Sequence, residues 1–153
     1  MVRDFALKSS EGKEVRASSF RGQANLVLVF PRQSDAMHAF LSEASRRRPE
    51  FSEQDAVVIA ILPNRREEQR IPHSDSSPIF ELYDETLHVH HLSGTTDESG
   101  SPIPMIYVTD RFGEIVSTHV AADHAPPSVK EILHMLEFVN HQCPECEPPE
   151  WPR

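Results

Sequence analysis

The chain has 153 residues, enough for one domain whose core needs no covalent staples. Its 15 Lys and Arg against 24 Asp and Glu leave a net charge of −9, which argues against a nucleic-acid backbone or an anionic membrane as partner. The charged opening MVRDFALKSSEGKEV has no stretch resembling a signal peptide, and no run elsewhere is long enough to span a bilayer, so a cytoplasmic location is the expectation.

In chain order, Phe5-Ala-Leu7, turn chemistry at Ser9 to Gly12 and the apolar position Val15 predict an N-terminal β-hairpin. Ser18 to Gly22 reads as a turn or one helical turn. Asn25 to Phe30 (NLVLVF) is apolar on both faces, the mark of a central strand covered by helices on each side. After Pro31, Ser34 is the expected cap of a helix with Asp35 in its first turn. Met37, Phe40, Leu41 and Ala44 recur on one face of that helix. Arg46 to Arg48 complement its negative end and read as a solvated terminus, with Pro49 interrupting the pattern. Ala56 to Leu62 (AVVIAIL) is a second buried strand, which completes a β-α-β unit expected to be parallel and right-handed.

Arg65 to Arg70 then suggests a short exposed helix, and Pro72 to Pro78 a loop. Phe80 to Tyr83 reads as a short edge strand, and Asp84 as the cap of a short helix through His91. Met105 to Val108, a tight turn at Asp110 to Gly113, and Glu114 to Ala121 form an antiparallel hairpin. Ser128 caps a last helix that places Val129, Ile132, Leu133, Leu136 and Val139 on one face. A Pro- and Glu-rich tail follows it. The expected division is a domain over 1–141 and a tail over 142–153.

The order of these elements resembles a thioredoxin fold. Phe5-Ala-Leu7, Phe20-Arg-Gly22 and the segment Ile103-Pro104-Met105-Ile-Tyr-Val-Thr-Asp110-Arg-Phe-Gly113-Glu-Ile115 make it similar to the peroxiredoxin branch, the AhpC/TSA or redoxin family, over residues 2 to 140. The resemblance implies an α/β fold: a central mixed β-sheet flanked by helices, with an N-terminal β-hairpin and an irregular C-terminal tail. It also implies that Pro104 is a cis-proline facing the active-site helix. Family members carry a reactive cysteine at the N-terminus of the first long helix, as Pro-x-x-x-Thr-x-x-Cys or Cys-x-x-Cys. Laid on the chain from Pro31, these patterns put Asp35 at the Thr or first-Cys position and His38 at the Cys position. Peroxide attack by this family needs a thiolate, and neither residue is a thiol.

Asp35 and His38 are three apart on a helix, so their side chains can meet, as a metal half-site, an acid–base pair, or simply a capping carboxylate and a half-exposed histidine. His88-Val-His90-His91 lacks the spacing that completes a metal site and reads as surface histidines, while His134 reads as packed at the edge of the last helix's stripe. The two cysteines, Cys143 and Cys146, have the spacing of both redox dithiols and zinc half-sites. Pro148-Pro149 allow no helix after them to lower a thiol pKa, and Glu145 and Glu147 disfavour a thiolate. Zinc deprotonates its own ligands, so His141 with Cys143 and Cys146 is the candidate metal set, completed by a second chain in a homodimer. Trp151, between prolines, is an anchor by which the tail can dock onto a groove.

The resulting expectation is a peroxiredoxin-like protein without the usual cysteine that binds a protein partner in the groove near Asp35, His38 and Pro104. The alternatives are a thiol-disulfide oxidoreductase using Cys143 and Cys146, for which Cys143 must approach the Pro104 loop, and a structural zinc-clasped dimer.

Overall fold

The computed structural model describes residues 1–9, 11–31, 35–63, 79–120 and 127–141, with backbone alone at Asp35, Ala36 and His38. The expected Ser34 cap, the Arg65 to Arg70 helix, the following loop and the tail lie outside them. Strands β1 (Ala6–Ser9) and β2 (Glu14–Arg16) form the N-terminal hairpin, and a single 3-10 turn, Ala17–Phe20, leads into β3 (Asn25–Phe30). Helices α1 (Asp35–Arg46) and α2 (Arg48–Glu53) follow, then β4 (Ala56–Leu62), β5 (Ile79–Tyr83) and α3 (His88–Leu92). The chain closes with β6 (Met105–Thr109), β7 (Ile115–Val120) and α4 (Val129–Asn140).

The strands make one sheet in the order β2-β1-β5-β4-β3-β6-β7. β3, β4 and β5 run parallel to one another, while β1 and β6 pair antiparallel to the outer two of these. The runs read as buried strands are buried at nearly every position, because helices cover one face and α3 with the N-terminal segment covers the other. Alternation divides their side chains: Val27, Val29, Val58 and Ala60 face α1, α2 and α4, while Leu26, Leu28, Phe30, Ile59 and Ile61 face Phe5, Val15 and Val89. On the first face Met37, Phe40, Leu41 and Ala44 of α1 meet Ile132 and Leu136 of α4. In the β6–β7 turn the Asp110 carboxylate accepts from the N–H groups of Phe112 and Glu114, and Gly113 takes the positive φ of +83° that the turn requires.

Four expectations are corrected. β5 is interior, not an edge, because β1 turns back to pair Lys8 with Tyr83 and Ser9 with Leu82. Pro49 starts a helix as well as ending one: in the first turn of α2 its missing N–H costs nothing, and Phe51 of that turn is fully buried. His134 is exposed, with 73% of its side chain open. Finally, no peptide bond among the described residues is cis, Pro104 included. The chain there is extended, with Ile103 N–H bonded to Thr95 O at 2.7 Å, and runs directly into β6 in the isomer that X–Pro bonds prefer.

A polar cluster fixes α4 at the start of the central strands. Asn140 Nδ2 donates to Gln54 O (2.7 Å) and Oε1 (3.1 Å), and Asn25 Nδ2 donates to Asn140 Oδ1 (2.7 Å) and Gln54 O (3.1 Å). Asn25 is buried, so these bonds replace water that it cannot reach.

Candidate functional site

Ligands of open α/β sheets bind beyond the carboxyl ends of the parallel strands. Here that end is marked by Phe30, Leu62 and Tyr83, with the start of β6 alongside, since Phe30 pairs with Met105. The next positions outward are Pro31 and Pro104, both buried. α1 begins at Asp35, five residues beyond the end of β3, so the sequence-predicted residues Asp35, His38 and Pro104 belong to one end of the sheet. The side chains of Asp35 and His38 lie outside the description.

The best-defined chemistry at this end comes from a residue the sequence reading had placed on the surface. Asp84 follows β5, and its N–H is held by Leu62 O at 2.7 Å. Leu87 takes a left-handed conformation, φ +59°, which turns α3 back so that its N-terminus meets the Asp84 carboxylate. Asp84 Oδ2 accepts from the His90 backbone N–H at 2.8 Å and lies 2.7 Å from His90 Nδ1. Both side chains are buried, at 1% and 0% exposure. Burial works to raise the Asp84 pKa, but hydrogen bonds from the His90 ring and from the His90 and Val89 N–H groups outweigh it, and the carboxyl ends below its usual range.

The rest of the pocket around His90 is aromatic. Phe30 meets the imidazole edge-to-face at 5.1 Å and Tyr107 in the same manner at 5.9 Å. Tyr107 donates its hydroxyl to Ser93 O at 2.7 Å, and burial raises its pKa. Among the described residues His90 Nε2 has no hydrogen-bond partner. An Asp-bound imidazole with a bare Nε2 has the wiring of a general base; in this structure it is buried against Phe30 and, through its bonds to Asp84, holds the start of α3. The pattern His88-Val-His90-His91 hid this because only one of the three faces inward: His88 and His91 are exposed, as expected. The signal available was the apolar neighbour Val89, also buried, which shows that the inward arc of so short a helix includes the position beside it.

α4, the last described element before the tail, finishes at the opposite end of the sheet. Asn140 is bonded to Asn25 at the beginning of β3, and β3 is about 17 Å long at 3.3 Å per residue. Cys143 is three residues further on, a reach of about 11 Å at full stretch. Cys143 and Cys146 themselves lie outside the described residues; His141 is described and exposed. Among the described residues no three His, Cys, Asp or Glu side chains are grouped to hold a metal, and no helix is long and apolar enough to cross a membrane.

Comparison with known proteins points the same way as the topology. The model of the AhpC/TSA family matches residues 1–118. Peroxidoxin BcpB from Mycobacterium tuberculosis superposes with a TM-score of 0.75 at 18% identity, over 90% of this chain and 94% of that one. The reduced 2-Cys peroxiredoxin of Plasmodium vivax gives 0.74 at 14% identity, over 90% and 79%, and Mycobacterium bovis AhpC gives 0.73 at 15%, over 90% and 94%. At such identities these structures speak for the fold alone. A search of curated proteins gives no match. With more than three-quarters of its length matched by one family model and the sheet order of that family's fold, this chain belongs to the AhpC/TSA family of thioredoxin-fold proteins.

Proposed function

We propose that this chain is a member of its family that does not reduce peroxides at the usual site and acts instead as a binding or regulatory module. The observation that carries this reading is chemical. The first cysteine is residue 143, while the start of α1, where the family's thiolate belongs, reads Asp35-Ala-Met-His38. Without a thiolate there is no nucleophile to take an oxygen from a peroxide and become a sulfenic acid. The contact surface is the end of the sheet around Asp35, His38 and Pro104, where a protein segment is the occupant. The test is peroxide consumption by the purified protein with a thiol reductant. The expected rate equals that of the Cys143→Ser/Cys146→Ser double variant. Turnover beyond protein stoichiometry that persists in the double variant would overturn the reading.

A second reading is supported by the Cys-x-x-Cys spacing of the tail, which serves either a dithiol or zinc. In this reading the dithiol works on a separate partner, since Cys143, about 11 Å at full stretch from Asn140, falls short of the length of β3 that separates Asn140 from the Pro104 end of the sheet. Zinc held by Cys143, Cys146 and His141 would draw its remaining ligand from a second copy, making a clasped homodimer. Native mass spectrometry separates these: zinc in a dimer supports the clasp, and a metal-free chain lighter by two hydrogens supports the dithiol. Metal-free, fully reduced monomer counts against both.

A further inference from the structure

We propose that two copies of this chain associate through the outer face of α4, laid antiparallel about a two-fold axis at His134. Phe138 of each copy enters the Lys130 end of the cleft that Lys130, Glu131, His134, Met135 and Phe138 line on the other. The inward face of α4 is used by Val129, Ile132, Leu136 and Val139. Its outward face carries Phe138, 63% exposed, the most open of the large apolar side chains described. At about 100° per residue that face is centred on His134, whose side chain is 73% open, with Met135 three residues before Phe138. The exposed ring is thus the end of a ridge that points away from the sheet beneath the helix.

The charges beside the ridge identify the occupant as a second copy. Lys130 and Glu137 lie on one flank, about 40° and 60° from His134, while Glu131 and Phe138 lie on the other, about 60° and 40° away. A two-fold axis perpendicular to the helix sets each flank against the same flank of the second copy and reverses the order along it. Lys130 then stands about 1.5 Å, one residue, off the level of Glu137 in the second copy, and the same ion pair forms twice. Within its own helix Lys130 has no such carboxylate, because the positions three and four away are Pro126, Pro127, Leu133 and His134. Glu137 likewise has no Lys or Arg at those distances, and His134 lies 4.0 Å from it. On the other flank Phe138 comes level with Lys130 and next to Glu131 of the second copy, so the ring packs on their methylenes. A parallel pair would set Glu137 against Phe138 and align the two helix dipoles, which the antiparallel pair opposes. One helix pair about 18 Å long covers less than the roughly 1,200 Å² of a standard interface, so the dimer is weak and exchanges with monomer. The C-terminal ends of the two helices point in opposite directions, and the contact uses neither Cys143 nor Cys146.

The test is sedimentation velocity of the full chain over a concentration series, in reductant and chelator so that neither disulfide nor metal contributes. The expected result is a reversible monomer–dimer equilibrium. Phe138→Ser, Lys130→Glu and Glu137→Lys should each raise its dissociation constant at least fivefold, with far-UV circular dichroism as in the parent. The two charge variants mixed in equal amounts should dimerise within twofold of the parent, because each Lys–Glu pair is then restored across the interface; the Lys130→Glu/Glu137→Lys double variant should do the same alone. A parent chain that stays monomeric throughout overturns the proposal and leaves the ridge to another occupant, such as the chain's own tail. A dimer unchanged by the three variants overturns it by placing the contact elsewhere. Should Phe138→Ser alter the circular dichroism, the charge variants decide: weakening by each without recovery in the mixture or in the double variant refutes the antiparallel pair.

Discussion

Asp84→Asn is the substitution that best probes the buried pair. The asparagine oxygen still accepts the His90 N–H, so the turn into α3 keeps its cap. Both His90 bonds fall on one oxygen, Oδ2, so what disappears is the negative charge behind them, and the amide's two hydrogens replace an oxygen of a carboxylate that also accepts from the Val89 N–H. Hydrogen bonds to charged groups contribute about 1.5–3 kcal/mol, and this carboxylate accepts from the His90 ring and from two backbone N–H groups. With the backbone bond retained, the expected loss is about 2–3 kcal/mol at pH 7, a drop in Tm of about 4–12 °C for a domain of this size. The pH dependence is the sharper test. The native Asp84 pKa lies below its unfolded value, so the carboxylate's contribution is complete above the unfolded pKa near 4 and fades as pH falls through the lower native pKa. Urea unfolding of both proteins at pH 7 and across the acid limb should therefore show the gap narrowing only below about pH 4. A gap that stays constant into the acid limb, or opens there, would refute the ionised-carboxylate account.

Other substitutions test the remaining supports of the fold. Phe51→Ala empties a fully buried site in α2 and should cost about 3–5 kcal/mol in chemical denaturation. Ser128→Ala removes the hydroxyl that accepts the Glu131 N–H at 3.1 Å; about 1 kcal/mol should be lost, with little change in the denaturant m-value. Asn140→Ala breaks three hydrogen bonds among Asn25, Gln54 and Asn140, for an expected loss of about 1–3 kcal/mol. Hydrogen exchange of the last turn of α4 should rise with it, and unchanged exchange there would show that apolar contacts alone hold the helix.

The parts of the fold that the sequence disclosed are those set by local periodicity. NLVLVF and AVVIAIL have no polar face, so only a doubly covered strand accommodates them, and the spacing of Met37, Phe40, Leu41 and Ala44 admits one buried helix face. What escaped was set by partners distant in sequence. β5 is made interior by residues 8 and 9, some seventy positions earlier, and nothing in IFELY announces it. His90 is drawn inward by Phe30 and Asp84, whereas its histidine neighbours point out. The trans bond before Pro104 shows the limit of carrying a detail over from a resemblance whose order of elements holds but whose individual motifs have drifted. The site was legible chiefly as a replacement: Asp35 and His38 where a thiol belongs.

The knot of Asn25, Gln54 and Asn140 joins the first central strand to the last helix, residues 115 apart in sequence. A chain made from its N-terminus therefore completes all seven strands at Val120 while one side of the sheet still lacks Val129, Ile132 and Leu136. Some twenty more residues must emerge, about one to four seconds of translation at 5–20 residues per second. During that interval the nascent sheet offers the apolar side chains of Ile106 and Val108 next to the open edge of β7. A ribosome pausing within residues 121–140 would lengthen it, exposing a sticky intermediate to chaperones and to neighbouring nascent chains.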